Sequence, residues 1–439
     1  MMMMMTYYLG LARTRLLETK GMTLALVLAL GLGIGASVTM LTVVRAMSWD
    51  PLPERSGRLF HPFLDPLPAG YQIKGGLDPR VAMTWPDASE LLRNAPAQRQ
   101  TVLAAGRLLV DPQPGAPTAF FVDGQYTNAD AAAMFDMEVL QGRWWSADDD
   151  LQRSRVVVVS RTLAQRLGHG SSLVGRTLQL DGQPFRVVGV IADWVPRPRF
   201  HTDLQQEPFK GRDDVFIPLQ TAVELQLRVA NSMYGWSGNT PTNRMLDAST
   251  AWVQLWAEIP DPAGQQAYLH FLQNYVQDQH ARGRFDRQTP PHLDGLRSYL
   301  VERRIIPDEV RLQLALCLAF LAVCLVNMGA LIFARFVRRT HEIAVRRALG
   351  ARRMDIILQL CTEALMIGLL GGGVGLLVAQ GGLLLVRMQP EDYASLAVID
   401  PTMVIATPVL ACIASLFAAV LPALRAASTR VAMQIKAAE

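Results

Sequence analysis

The segment RRTHEIAVRRALGARRMDI, Arg338 to Ile356, places six arginines in nineteen residues between two long apolar stretches. Basic residues gather on the cytoplasmic flanks of membrane spans, so a loop of this kind fixes the side of the membrane on which it lies. Four stretches carry no charge over the roughly 20 residues a helix needs to cross a bilayer. They are Gly21–Val44, Leu312–Ala334, Ala364–Val386 and Pro401–Leu424. Arg13, Arg15 and Lys20 precede the first. Arg335, Arg338, Arg339, Arg346, Arg347, Arg352 and Arg353 lie between the second and third, and Arg425, Arg430 and Lys436 follow the fourth. The loop between the third and fourth sets a lone Arg387 against Glu391, Asp392 and Asp400.

These flanks predict a membrane protein of four transmembrane α-helices with both termini in the cytoplasm. A large mixed α/β extracytoplasmic domain lies between spans one and two. The expected organisation is an amphipathic N-terminal helix over 1–20, spans at 21–44, 310–337, 354–387 and 401–424, and an outer domain at 45–309 built of two α/β subdomains. A cytoplasmic loop at 338–353, a short outer loop at 388–400 and a tail at 425–439 complete it. The first apolar stretch exceeds the 7–15 residues usual in a signal peptide, so it reads as a retained anchor. The Met1–Met5 run reads as a start-site ambiguity without fold signal.

Composition supports this division. Half of the 439 residues are hydrophobic, high for a soluble chain and modest for one with many spans. The net charge of +4 is mild, and 38 arginines against four lysines reflect genome composition, not a nucleic-acid surface. Cys317, Cys324, Cys361 and Cys412 all sit in apolar segments, so neither a disulfide framework nor a cysteine metal site is expected outside. All eight tryptophans fall between Trp49 and Trp256, which gives the outer region material for its own core.

Within that region RVVVVS (Arg155–Ser160) reads as a buried strand, and RTLAQRLG (Arg161–Gly168) as a short helix stopped by glycine. RTLQLDGQPFRVVGVIAD (Arg176–Asp193) alternates on both sides of Asp181-Gly182, a hairpin signal. DVFIPL (Asp214–Leu219) and TAWVQLWAEI (Thr250–Ile259) read as strands and Pro262–Arg282 as a helix, with proline-rich loops at Asp111–Pro117 and Trp194–Pro198.

Several of these pieces, in this order, resemble MacB-type permeases, the four-span branch of the FtsX-domain ABC transporters. The resemblance runs through GLGIGASVTMLTVVRAM and PLPERSGRLF, through VDGQYTNADAAAMFDMEVLQGRWWSADDD, and through the Val156–Asp193 stretch. It ends on RRTHEIAVRRALGARRMDIILQLCTEALMIGLLGGGVG. It implies a dimeric permease of the bacterial inner membrane with a periplasmic outer domain that follows the cycle of a cytoplasmic ABC ATPase. The second permease is a copy or a paralogue. Members of the family push solutes from the periplasm into an outer-membrane channel through a periplasmic adaptor. No G-x-x-x-x-G-K-[ST] occurs in the chain, so ATP and Mg are expected on a separate ATPase polypeptide, with no cofactor here. An FtsX-like signalling subunit that activates a cell-wall hydrolase, or a lipoprotein-releasing permease, are the alternatives of related topology.

The opening segment then has two readings. As a retention loop, its arginines meet lipid phosphates. As the coupling helix that the resemblance implies, it runs from Arg339 to Leu349 and stops at Gly350, where a left-handed cap is needed. Glu342, Arg346, Arg347 and Leu349 would touch the ATPase, and Gly350-Ala351 would set the corner into the third span. Glu363 is the one charge deep in the third segment, an expensive placement. It is either paired with Arg335 or Arg347 or snorkelling, or it is a transmission residue that exchanges partners. Gly31 with Gly35, and Gly371 with Gly375, form G-x-x-x-G motifs that let helices approach closely, within the chain or across a dimer. Tyr7, Leu11 and Leu17 against Arg13, Arg15 and Glu18 suggest an N-terminal helix lying on membrane lipid. The seven histidines show no metal-ligand spacing, and Ser237 in YGWSGN misses the nucleophile-elbow pattern by one residue. Catalytic and metal sites are therefore not expected.

Overall fold

The chain leaves its first long apolar helix at Met47 and enters the next at Asp308, and the fold divides there. One unit is Met1–Ser48 with Ile306–Glu439, and the other is Trp49–Ile305. The computed structural model describes residues 2–73, 78–112, 118–202, 208–209, 211–230, 232–237, 244–338, 345, 353–388 and 401–428. Two helices open the chain, α1 (Met2–Glu18) and α2 (Lys20–Met47).

The outer unit is an α/β domain. Its strands are β1 (Leu59–Phe63), β2 (Met83–Thr84), β3 (Arg99–Val110), β4 (Phe120–Thr127), β5 (Val139–Gly142) and β6 (Val156–Ser160). They continue as β7 (Thr177–Leu180), β8 (Gln183–Ile191), β9 (Val215–Pro218), β10 (Tyr234–Gly235), β11 (Thr250–Glu258) and β12 (His292–Gly295). The helices between them are α3 (Trp85–Asn94), α4 (Ala131–Met134), α5 (Ala147–Leu151), α6 (Arg161–Gly168), α7 (Leu219–Glu224), α8 (Pro262–Ala281) and α9 (Leu296–Glu302).

The strands hydrogen-bond in the order β12-β1-β11-β3-β4-β9-β6-β8-β5, one path within the outer unit. β4 pairs with β9, and β6 with β8, in parallel, whereas the β3–β4 and β1–β11 pairs are antiparallel. All nine residues of β11 and all five of β6 are buried, as strands covered on both faces must be. The hairpin turn lies at Asp181 (φ 50°) and Gly182 (φ 73°), the left-handed pair that a two-residue turn requires. Helix starts follow capping chemistry. Ser160 Oγ accepts Leu163 N–H at the head of α6, and Asp261 accepts Gly264 N–H ahead of Pro262 in α8. α6 differs in one detail from the sequence reading. Gly168 is its last helical residue, and the left-handed cap falls on His169 at φ 46°.

Buried carboxylates tie the outer domain together. Asp87, fully buried on α3, accepts from Tyr275 Oη and from Arg284 Nη2 at 2.7 Å. Glu258, at the end of β11, pairs with Arg55 at 3.2 Å and Arg99 at 3.1 Å. Asp213 receives Arg199 Nη2 and His201 Nε2, each at 2.7 Å, with all three residues buried. Burial alone would raise the Asp213 pKa, but Arg199 and His201 outweigh it and hold the carboxyl down to about 2. His201 moves the other way, because burial lowers its pKa more than Asp213 raises it. It stays neutral and donates.

The membrane unit adds α10 (Asp308–Arg338), α11 (Arg353–Arg387) and α12 (Pro401–Ser428). Four helices have the length and hydropathy to span a bilayer, over Lys20–Met47, Asp308–Arg335, Met354–Arg387 and Pro401–Val420. On α10 the large apolar side chains of Leu312, Leu316, Phe320 and Val323 face outward at three- and four-residue spacing. In water such a stripe would be a defect, and against lipid it is the solvated face. α2 packs against both α10 and α11, and α12 against the same two. α1 packs on α11. Ala12 and Leu16 are buried, and Leu17 is 54% exposed. The cause is the helical repeat, since Ala12 and Leu16 are one turn apart and Leu17 points about 100° away.

The backbones of α2 and α11 come close because each lacks side chains at the crossing. A Cβ on Gly31 would fall 2.6 Å from Val374 Cγ1, and one on Gly35 2.6 Å from Val378 Cγ1. A Cβ on Gly371 would fall 2.8 Å from Leu30 Cδ2, and one on Gly375 3.3 Å from the Gly31 carbonyl oxygen. On its other side α2 meets α10, where Gly33 faces Leu321 and Cys324.

Two outcomes follow for the full chain in detergent. Gly35→Ala should cost about 1–3 kcal/mol by overpacking, whereas Gly373→Ala, whose Cβ meets nothing within 4 Å, should not destabilise. Equal shifts in Tm for the two variants would refute this packing. Asp213→Asn removes the carboxylate from Arg199 and should cost about 3–5 kcal/mol in tryptophan-monitored unfolding at pH 7. Because the native pKa is depressed, Asp213's contribution is full above its ordinary value near 4 and fades as pH falls toward 2. The variant and parent should therefore converge in acid.

Candidate functional site

The membrane unit concentrates its buried polar groups on α2 and at the arginine-rich end of the bundle. Arg335, in the last turn of α10, is 7% exposed, and its Nη2 donates to Thr23 Oγ1 on α2 at 2.8 Å. Thr23 Oγ1 in turn donates to the Leu16 carbonyl of α1 at 3.0 Å. One guanidinium thus reaches α2 and, through its hydroxyl, α1. Glu363, also 7% exposed, accepts from Gln359 Nε2 one turn earlier on α11 at 3.4 Å.

Several other hydroxyls of the bundle bond to backbone carbonyls. Ser37 Oγ donates to the Gly33 carbonyl at 2.8 Å and to that of Cys317 on α10 at 3.2 Å. Thr39 Oγ1 lies 2.8 Å from the Gly35 carbonyl oxygen and 3.5 Å from that of Ala379 on α11. Thr42, Thr407 and Ser415 donate to carbonyls three or four residues earlier in their own helices. Such bonds satisfy the hydroxyl proton inside hydrocarbon. Ser37 and Thr39 also tie α2 to its two neighbours.

The structure distributes the sequence candidates unevenly. Gly31, Gly35, Gly371 and Gly375 meet at a single crossing within one chain, and Glu363 is buried on α11, the helix that carries the second glycine pair. Glu342, Arg346, Arg347, Leu349, Gly350 and Ala351 lie outside the described residues. Val345, among them in sequence, is helical and exposed. Thr23 and Ser37 had no distinguishing signal in the sequence, because a lone hydroxyl in an apolar run is ordinary. Their partners, Arg335 and the Cys317 carbonyl, lie some 300 residues away.

The outer domain has a cleft of about 500 Å³ where α3, β3, the end of β4, α5 and α7 meet. Arg93, Arg99, Asp130 and Asp150 bring charge to it, and Trp85 and Leu151 bring apolar surface. Burial pushes the Asp150 carboxyl up to about 6, against hydrogen bonds from the Ala129 N–H and Trp145 Nε1. Burial also raises Asp130. The polar lining is completed by Gln98, Gln100, Thr127, Asn128 and Gln220.

Comparison with known proteins agrees with both units. Residues 23–267, more than half of the chain, match the MacB-like periplasmic core domain, and residues 314–431 match the FtsX-like permease C-terminal domain. The pyoverdine export ATP-binding/permease protein PvdT of Pseudomonas syringae pv. syringae is 26% identical over 257 residues, 57% of this chain and 33% of that protein. The macrolide export ATP-binding/permease protein MacB of Chlorobium luteolum is 24% identical over 244 residues, 55% of this chain and 32% of that protein. The chain thus spans about a third of the length of these relatives. Among solved structures, the periplasmic region of MacB from Actinobacillus actinomycetemcomitans is similar at 14% identity and a TM-score of 0.38, covering 58% of this chain and 95% of that one. With its MacB-like core domain between the first and second of four membrane-spanning helices, and its FtsX-like C-terminal segment, the chain belongs to the MacB-type family of ABC transporter permeases.

Proposed function

We propose that the chain is the permease of an inner-membrane ABC exporter that transmits motion and does not conduct solute. ATP and Mg are held by a cytoplasmic ATPase outside this sequence, on a separate polypeptide as the sequence reading expects. Both termini and the 338–353 segment lie on the ATPase side. The observation that carries the reading is the glycine-lined crossing of α2 and α11, which sets the helix after the basic segment against the helix that leads into the outer unit. At that crossing α2 lies in close contact with the helix that follows the basic segment.

The work then proceeds along the chain. Closure of the nucleotide sites pushes on Glu342, Arg346, Arg347 and Leu349, and Gly350-Ala351 turns the push into a tilt of α11. The tight crossing passes the tilt to α2, whose last residue, Met47, is two residues before the outer unit begins. The outer domain changes shape and drives solute onward. Glu363 sits in the helix that tilts, and Arg335 of α10 bonds Thr23 on the helix that receives the tilt. In a dimer with a second permease, and with an adaptor and an outer-membrane channel, this cycle would complete export across the outer membrane. Two of the named relatives are export proteins for pyoverdine and macrolides, which supports export as the direction.

The decisive experiment isolates the chain from native membranes and identifies what accompanies it. A cognate ABC ATPase with an adaptor and a channel supports the proposal, and a peptidoglycan hydrolase in their place overturns export. Reconstituted with that ATPase, the triple variant Arg346→Ala, Leu349→Ala, Gly350→Leu should lose at least tenfold of the permease-dependent ATP turnover. Its outer domain should unfold at the parental temperature. Stimulation equal to the parent would remove the coupling role from this segment.

A further inference from the structure

Away from the membrane helices, one cluster of side chains has no part in the reading above. Strand β12 carries His292 and Asp294 two residues apart, hence on one face. α9 begins directly after the strand and ends at Glu302. One ligand atom from each of these three residues lies within 4.8 Å of the others. The spacing H-x-D followed by a glutamate eight residues later matches no simple ligand motif, so the sequence reading expected no metal set. The helical turn of α9 is what returns Glu302 to the strand.

The geometry is specific. His292 Nε2 stands 3.5 Å from Asp294 Oδ2, which is long for a hydrogen bond and close to the roughly 3.3 Å between two ligands of a tetrahedral zinc ion. Asp294 is 8% exposed, and its Oδ2 is buried with no hydrogen-bond donor. A buried carboxylate oxygen without a donor is costly, and a bound cation is one way to satisfy it. The His292 ring is fixed by stacking on Phe63, with centroids 4.4 Å apart and planes 20° apart, in a residue pair that β1 and β12 hold in register. Glu302 is exposed and free to swing its carboxylate inward. Arg303, next in sequence, has its guanidinium over the Tyr299 ring at 5.2 Å.

We propose that His292, Asp294 and Glu302 form a binding site for one divalent transition-metal cation of the zinc class, with a coordination position left open to solvent. One imidazole and two carboxylates suit such an ion, whereas magnesium and calcium take oxygen ligands in larger number. The site joins β12 to α9, the last elements of the outer domain before Asp308 begins α10.

Calorimetric titration of the full chain in detergent with zinc chloride tests this. One zinc per chain should bind, and His292→Ala, Asp294→Asn and Glu302→Gln should each weaken binding at least tenfold. Millimolar magnesium should not compete. His270→Ala, which removes an exposed histidine from α8, should bind like the parent. Glu302→Gln alters an exposed side chain, so its effect is separable from misfolding, and unfolding of each variant in EDTA checks the rest. Absence of zinc binding to the parent at 100 µM would overturn the site. Parental affinity in Asp294→Asn and Glu302→Gln, or equal loss in His270→Ala, would do the same.

Discussion

Inside a bilayer, apolar side chains gain nothing by leaving lipid for one another, so helices are held by close backbone approach and by polar groups with nowhere else to bond. α2 answers both demands. Its glycines at 31 and 35 admit α11, Gly33 admits α10, and Ser37 and Thr39 reach the carbonyls of those same neighbours. In its most apolar stretch 56% of residues are buried, against 17% in the corresponding stretch of α10, which identifies α2 as the axis of the bundle. The rest of the membrane unit is arranged around that helix. Arg335 extends the same logic to the basic end, where a guanidinium in hydrocarbon must find oxygen and finds Thr23.

The outer domain solves a different problem. It has no cysteine, so no covalent staple constrains it, and its sheet has an exposed edge at β5. Buried carboxylates take the role of pegs. Asp65, Asp87 and Glu258 each collect donors from segments far apart in the chain: Thr289 for the first, Tyr275 and Arg284 for the second, Arg55 and Arg99 for the last, while Asp213 takes Arg199 and His201 from the stretch just before it. A buried ion pair adds little net stability over a well-packed apolar contact, but losing one partner costs several kcal/mol. The arrangement therefore favours one assembly over its near relatives. It also makes the domain's integrity depend on carboxylate charge and not on redox state.

Much of this was legible in advance because it rests on local or periodic rules. The spans, the Asp181-Gly182 turn, the β6 and β11 strands and the helix starts at Ser160 and Asp261 each announce themselves within a few residues. What stayed hidden depends on long-range closure. The packing of Ala12 and Leu16 of α1 carried no sequence signal, because the partner, α11, lies more than 300 residues on. Thr23 became meaningful only beside Arg335, and the grouping of Glu302 with His292 only through the turn of α9. The sequence offers the donor types, and the chain's path decides which of them meet. The cleft between α3, α5 and α7 had no sequence signal either, since its charged residues come from four separate elements.

The length of α11 has a consequence of its own. Thirty-five residues make a rod of about 52 Å, and the hydrocarbon it crosses is about 30 Å thick. Some 20 Å of rigid helix must stand clear of the acyl chains or be absorbed by tilt. Pivoted near its middle, such a rod swings each tip by about 4–5 Å for a 10° rotation, by its length alone. Displacement is thus largest at the tips and smallest at the pivot. A glycine-lined crossing near the pivot lets a helix rock there without unpacking from its neighbour.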